Sequence, residues 1–179
     1  MKKIVLTFGL IAGAILAGMM FLTVPFMDTI GFDRGEVIGY TSMLVAFLLI
    51  FFGVKSFRDN VAGGTITFRR AFAVGGLIAL VASACYVAAW QVVYYKLAPD
   101  FVPRYQAHVM EKARADGASD AELAKRQADM ERFGEMYKNP LVNVGITFLE
   151  PLPVALVVAL VSAGVLSRRR RDALLATPA

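Results

Sequence analysis

The chain has 179 residues, 58% of them hydrophobic, with 19 basic and 14 acidic side chains, a formal charge of +5 and a single cysteine. An ordinary soluble domain is about 45–50% apolar, and here the charges leave four long stretches nearly bare, which points away from a water-soluble globule and toward a bilayer protein. Cys85 as the only cysteine excludes an internal disulfide and a cysteine metal cluster; neither a metal nor a cofactor is expected.

The first apolar run, Ile4 to Met27, contains no charge. At about 1.5 Å per residue it is long enough for a hydrocarbon core of about 30 Å. Lys2 and Lys3 precede it, so a cleaved signal peptide is the competing reading. The run is longer than the usual apolar signal core. Leu16-Ala17-Gly18 resembles the start of a lipoprotein cleavage box, but Met19 stands where the lipidated cysteine is required. A membrane span is therefore expected.

The second run is Val37 to Val54 and the third is Ala71 to Tyr95, both without charge. Cys85, inside the third, reads as a small buried hydrophobe. The fourth, Leu141 to Ser167, is interrupted by Glu150, Pro151 and Pro153. Isolated strands in lipid would leave backbone groups unpaired, so each run is expected as a helix. The fold class is all-α: one polytopic membrane domain over residues 1–179, with four transmembrane helices and an extramembrane helical hairpin between the third and fourth.

The hairpin is the one hydrophilic segment, Lys96 to Pro140, with eight basic and eight acidic residues. Asp100 is placed to cap a helix running to about Asp116, which Gly117 ends. Ser119-Asp120-Ala121-Glu122 is a capping box opening a second helix, and Asn139-Pro140 closes it. Leu123, Met130, Phe133 and Tyr137 form one apolar stripe, and Phe101, Tyr105 and Val109 another. Glu122 and Arg126 are spaced for an i,i+4 ion pair. The hairpin packs on itself or lies against the membrane face. His108, the sole histidine, has no second His or Cys to share a metal and reads as solvated.

Four spans put both termini on one side. That side carries Lys2, Lys3, Lys55, Arg58, Arg69, Arg70 and Arg168, Arg169, Arg170 and Arg171, all close to a span. On the other side only Arg34, Lys96 and Lys138 are close, and Asp28, Asp33 and Glu36 surround Arg34. Basic residues near span ends mark the cytoplasmic face, so both termini and the Lys55–Arg70 loop are expected in the cytoplasm and the hairpin outside. The four terminal arginines also supply most of the positive excess. They read as lipid-headgroup anchors or a stop-transfer signal, not as a nucleic-acid site.

Small residues recur every four positions: Gly9, Gly13 and Ala17; Ala71, Gly75, Ala79 and Ser83; Ala155, Ala159 and Ala163. Such stripes let helix backbones approach closely in lipid. They serve packing within the chain or dimerisation.

The segment Gly63-Gly64-Thr65-Ile66-Thr67-Phe68-Arg69-Arg70-Ala71-Phe72 runs into a Gly-rich span ending in Tyr94-Tyr95-Lys96 and followed by Pro99-Asp100-Phe101. A charged, Met-containing hairpin follows, then Phe148-Leu149-Glu150-Pro151-Leu152-Pro153. This order resembles the bacterial membrane family catalogued as domain of unknown function 4199. The resemblance covers nearly the whole chain. It implies a four-span inner-membrane protein with no assigned activity and supplies no catalytic residue.

Glu150 is the main candidate for chemistry. A carboxylate near the bilayer centre costs about 2.5–3.5 kcal/mol on insertion scales, so it is expected protonated, paired or facing water. Pro151 and Pro153 remove backbone donors and free carbonyls such as that of Thr147, which suits a cation or proton site. Alternatively the span begins at Pro151 and Glu150 caps it at the interface. Tyr40, Thr41, Ser42, Gln91 and Tyr94 are positioned to meet Glu150 in one polar pocket; Trp90, Tyr94 and Tyr95 better suit an aromatic belt. Gly63-Gly64-Thr65 lacks the spacing and lysine of a phosphate loop, and no nucleophile–base pairing is visible. The expectation is a non-enzymatic accessory or envelope-assembly factor, with the lipid bilayer and a protein partner or second copy as its contacts. The alternative is a small oligomeric transporter or channel built on Glu150. A membrane enzyme is the third reading, and it lacks a catalytic set.

Overall fold

A computed structural model describes the backbone of residues 1–175 and the side chains of residues 1–167. Among the described residues every regular element is a helix. Helix α1 covers Lys2–Thr23, then a 3-10 turn over Val24–Phe26 leads into the short α2, Met27–Ile30. Pro25 causes the change of pitch, because it has no N–H to continue the α pattern. Helix α3 spans Phe32–Asn60 and α4 spans Phe68–Val92, which ends in a π turn over Val93–Leu97. The hairpin is α5, Phe101–Ala115, and α6, Asp120–Tyr137. The fourth apolar run is two helices, α7 over Pro140–Leu149 and α8 over Leu152–Leu175.

Four segments are long and apolar enough to cross a membrane: Lys2–Ile30, Phe32–Asn60, Phe68–Leu97 and Pro140–Ser167. The protein is thus a four-span helical bundle, and the second span is longer at both ends than the charge-free stretch. Charged residues at both ends stay helical because a helix satisfies its own backbone wherever it emerges from lipid.

The bundle is built for lipid. Its interior is rich in small side chains, with Ala12, Ala46, Ala82, Ala155, Ala159 and Ala163 fully buried. Its periphery carries large exposed hydrophobics such as Leu10, Leu44, Phe52, Leu80 and Val157. Lipid tails are as apolar as leucine, so helices gain little by hiding leucine from them and associate through close packing instead.

The small-residue stripes face neighbours within the chain. A Cβ added at Gly9 would lie 2.6 Å from Val81 Cβ, and one at Gly13 would lie 2.5 Å from Cys85 Cβ. At Gly75 it would lie 3.0 Å from Ile50 Cγ2 and 3.3 Å from Ala159 Cβ. Helix α4 is therefore the hub, clasped by α1 on one side and by α3 and α8 on another. Ala79 is buried on the same helix.

The hairpin is folded and anchored. Gly117 ends α5 with φ +82°, a left-handed conformation that favours glycine. Ser119 and Glu122 form a reciprocal capping box at the start of α6. That engagement holds the Glu122 carboxyl below the usual carboxylate range, through the Ser119 backbone N–H first and its hydroxyl second. Among the described residues Glu122 makes no ion pair with Arg126. The Asp100 side chain forms no cap bond, whereas Asn139 accepts from the Leu141 N–H at 3.0 Å and so opens α7.

Two substitutions in α1 separate close packing from mere helix propensity. Gly13→Ala should cost about 1–3 kcal/mol in thermal or denaturant unfolding. Gly18→Ala, where nothing lies within 4 Å, should cost nothing. A second expectation concerns α6. A carboxyl held low stabilises its fold above the ordinary glutamate range, and that stabilisation is lost as pH falls through the lowered value. Hydrogen-exchange protection in the first turn of α6 should therefore drop on acidification, and Ser119→Ala should remove about 1 kcal/mol at neutral pH.

Candidate functional site

Glu150 sits at the break between α7 and α8. Pro151 offers no N–H to the Thr147 carbonyl, and Pro153 falls in the first turn of α8, where a missing donor is harmless. Ten residues of α7 precede Glu150, a rise of about 15 Å, so it lies at a helix break within the fourth apolar segment, Pro140–Ser167.

Its partner comes from α4. The Tyr86 hydroxyl donates to Glu150 Oε2 at 2.9 Å. One and a half turns nearer the hairpin, Gln91 Nε2 donates to Asn143 Oδ1 at 2.8 Å. The Tyr137 and Thr147 hydroxyls bond at 3.2 Å. Asn143, Thr147 and Glu150 follow i, i+4, i+7 spacing and share one face of α7. That polar stripe was available in the sequence as a signal, and it identifies α7 as the polar side of the site.

Glu150 retains accessible surface and lines a cavity of about 450 Å³. At the deep end are Leu16 of α1, Met43 of α3, Tyr86 of α4 and Glu150 itself. At the other end, under the hairpin, are Phe32, Asp33, Tyr105, His108 and Lys112. Tyr40 and Ser42 line the wall between, with the Ser42 hydroxyl turned back to the Ile38 carbonyl at 2.6 Å. Below the deep end the core is closed by Phe47, Ile50, Val54, Val74 and Ile78, all fully buried.

The hairpin roofs this cavity. Phe32 meets Phe101 and Tyr105 edge-on at 5.7 and 5.8 Å between ring centroids. Lys112 Nζ reaches Asp33 at 2.6 Å, and Arg104 pairs with Asp28. The Asp33 carboxylate, mainly by accepting from Lys112, holds the Lys112 ammonium above its usual value. His108 is not simply solvated, because it stacks on Phe32 at 5.2 Å and lies 3.4 Å from Asp33. Asp28 and Asp33, two of the three acids around Arg34, thus serve as the seat of α5.

Of the residues expected to meet Glu150, Tyr40 shares its cavity, while Gln91 and Tyr94 are placed elsewhere. Gln91 is engaged with Asn143. Tyr94 packs between Trp90, Tyr95 and Tyr137. Thr41 is exposed. Trp90 is only 7% exposed and meets Phe101 edge-on at 5.0 Å, so it packs against the hairpin. The side chains of Arg168, Arg169, Arg170 and Arg171 lie outside the described residues. Among the described residues no three metal-ligating side chains converge.

The family described as Protein of unknown function (DUF4199) matches residues 7–168. No curated protein and no solved structure matches the chain.

The α4–α7 contact carries a measurable coupling. Gln91→Leu leaves the fully buried Asn143 oxygen without its donor and should cost about 1 kcal/mol. The double variant Gln91→Leu/Asn143→Leu should cost less than the sum of the single changes in unfolding experiments. Strict additivity would mean that the bond does not form in the membrane.

Proposed function

The chain belongs to the family described as Protein of unknown function (DUF4199), and we propose that it is a non-enzymatic accessory protein of the bacterial inner membrane that binds a ligand in the one-sided cavity under its hairpin. The carrying observation is the closure of that cavity. It runs from the hairpin to Glu150 and stops on a fully buried apolar layer of Phe47, Ile50 and Ile78. A pocket of roughly 300–1,000 Å³ with apolar walls and a few convergent polar groups is the usual form of a ligand site.

Orientation follows from charge. Lys2, Lys3, Lys55, Arg69 and Arg70 cluster at the end opposite the hairpin, which supports a cytoplasmic position for both termini. The hairpin then faces outward, and the cavity opens to that side. The charged exposed face of α6, with Lys125, Arg126 and Asp129, is available to a protein partner or a second copy. The absence of any paired nucleophile and base in the sequence supports a binding role over catalysis.

A second reading is a small oligomeric transporter. It draws on one observation: Glu150 faces the cavity beside Tyr86, at a break between two half-helices, the kind of arrangement that holds ions in transporters.

Access distinguishes the two. Gly39 lines the cavity with open space around it. Gly39→Cys in a Cys85→Ala background should react with a membrane-impermeant maleimide from the hairpin side of sealed vesicles only. Labelling from both sides, with a proton or potassium flux abolished by Glu150→Gln, would establish the transporter. Labelling from the terminal side alone would invert the orientation.

A further inference from the structure

The cavity holds more negative than positive charge. Asp33, Glu36 and Glu150 line it, against a single ammonium, Lys112. Lys112 is engaged by Asp33 at 2.6 Å. Among the described residues neither Glu36 nor Glu150 has a basic partner, and Glu150 receives one hydrogen bond, from Tyr86. A carboxylate within a span is costly unless something opposite in charge, or water, meets it.

The walls suit an organic cation. Tyr86 meets Glu150, Tyr40 and Trp90 line the same cavity, and aromatic faces attract ammonium groups. Met19, Met20 and Met43 line it as well. Thioether side chains are flexible and polarisable, and they adapt to a hydrocarbon body. A calcium or magnesium ion fits poorly, because it needs six or more oxygens, and no group of three or more metal-ligating side chains forms among the described residues.

We propose that the cavity binds an aliphatic amine, with its ammonium against the Glu150 carboxylate and its hydrocarbon body along Met19, Met20 and Met43. This rests on the pocket reading above and names the chemistry of its occupant. The Tyr86 hydroxyl positions the carboxylate, and the carboxylate is the group that selects charge. The hairpin, seated by Asp33 and Lys112, covers the other end of the cavity.

Trp90 is the only tryptophan of the chain and lines the cavity, so its fluorescence reports occupancy directly. The full chain in lipid nanodiscs is titrated at neutral pH with hexylamine, hexanol and hexanoate. Hexylamine should give a saturable change at a concentration about tenfold or more below that for hexanol, and hexanoate should give none. Glu150→Gln should reduce hexylamine to the affinity of hexanol. Glu150→Asp keeps the charge and should keep the preference, which separates charge recognition from a folding defect. Equal affinity for amine and alcohol, or amine binding that survives Glu150→Gln unchanged, would overturn the amine assignment and leave a ligand pocket standing. No saturable response to any of the three probes would overturn the pocket as well.

Discussion

Backbone-to-backbone approach at Gly9, Gly13 and Gly75 is the contact on which the rest of the molecule depends. Each of these glycines meets a side chain of a neighbouring helix where a Cβ would stand. Lipid provides no hydrophobic drive between helices, so dispersion at short range has to hold them. That requirement explains why alanine fills the centre of the bundle while leucine and valine face outward. It also makes α4 the hub, since Gly9 and Gly13 of α1 pack on its Val81 and Cys85 while its own Gly75 meets α3 and α8.

Below the cavity, away from the hairpin, the bundle is closed by packed side chains. There Phe47, Ile50, Val54 and Ile78 interlock without space. Toward the hairpin the fourth apolar segment breaks at Glu150–Pro151 and the first changes pitch at Pro25. Both breaks border the cavity, which Val24, Met27 and Glu150 line. A proline in a span is tolerable only where other groups satisfy the freed backbone or where the break lines a cavity, and the second condition is met at Glu150.

The hairpin completes the site through paired charges and aromatic rings together. Asp28 and Asp33 hold Arg104 and Lys112, while Phe32 wedges against Phe101 and Tyr105. Exposed ion pairs contribute little by themselves, so the ring contacts carry most of the docking and the charges set its register. The outcome is a cavity whose deep end is a carboxylate and a phenol, whose walls are apolar, and whose roof is amphipathic.

Most of the architecture was legible along the chain. Long runs nearly free of charge located the four spans, because a helix crossing lipid needs about 20 apolar residues wherever it occurs. The capping box at Ser119 and the stop at Gly117 are local rules, and they hold in the structure. The surroundings of Glu150 were not legible in the same way. Gln91 and Tyr86 are both on α4, but five residues at 3.6 per turn put them about 140° apart, so one helix cannot offer both to the same carboxylate. Tyr86 takes Glu150 and Gln91 takes Asn143. Which face of α4 meets which face of α7 is decided by the rotation and depth of two helices set by glycine contacts elsewhere. Local rules act over a few neighbouring residues, whereas that register is settled between segments about sixty residues apart in sequence, and only the assembled bundle determines it.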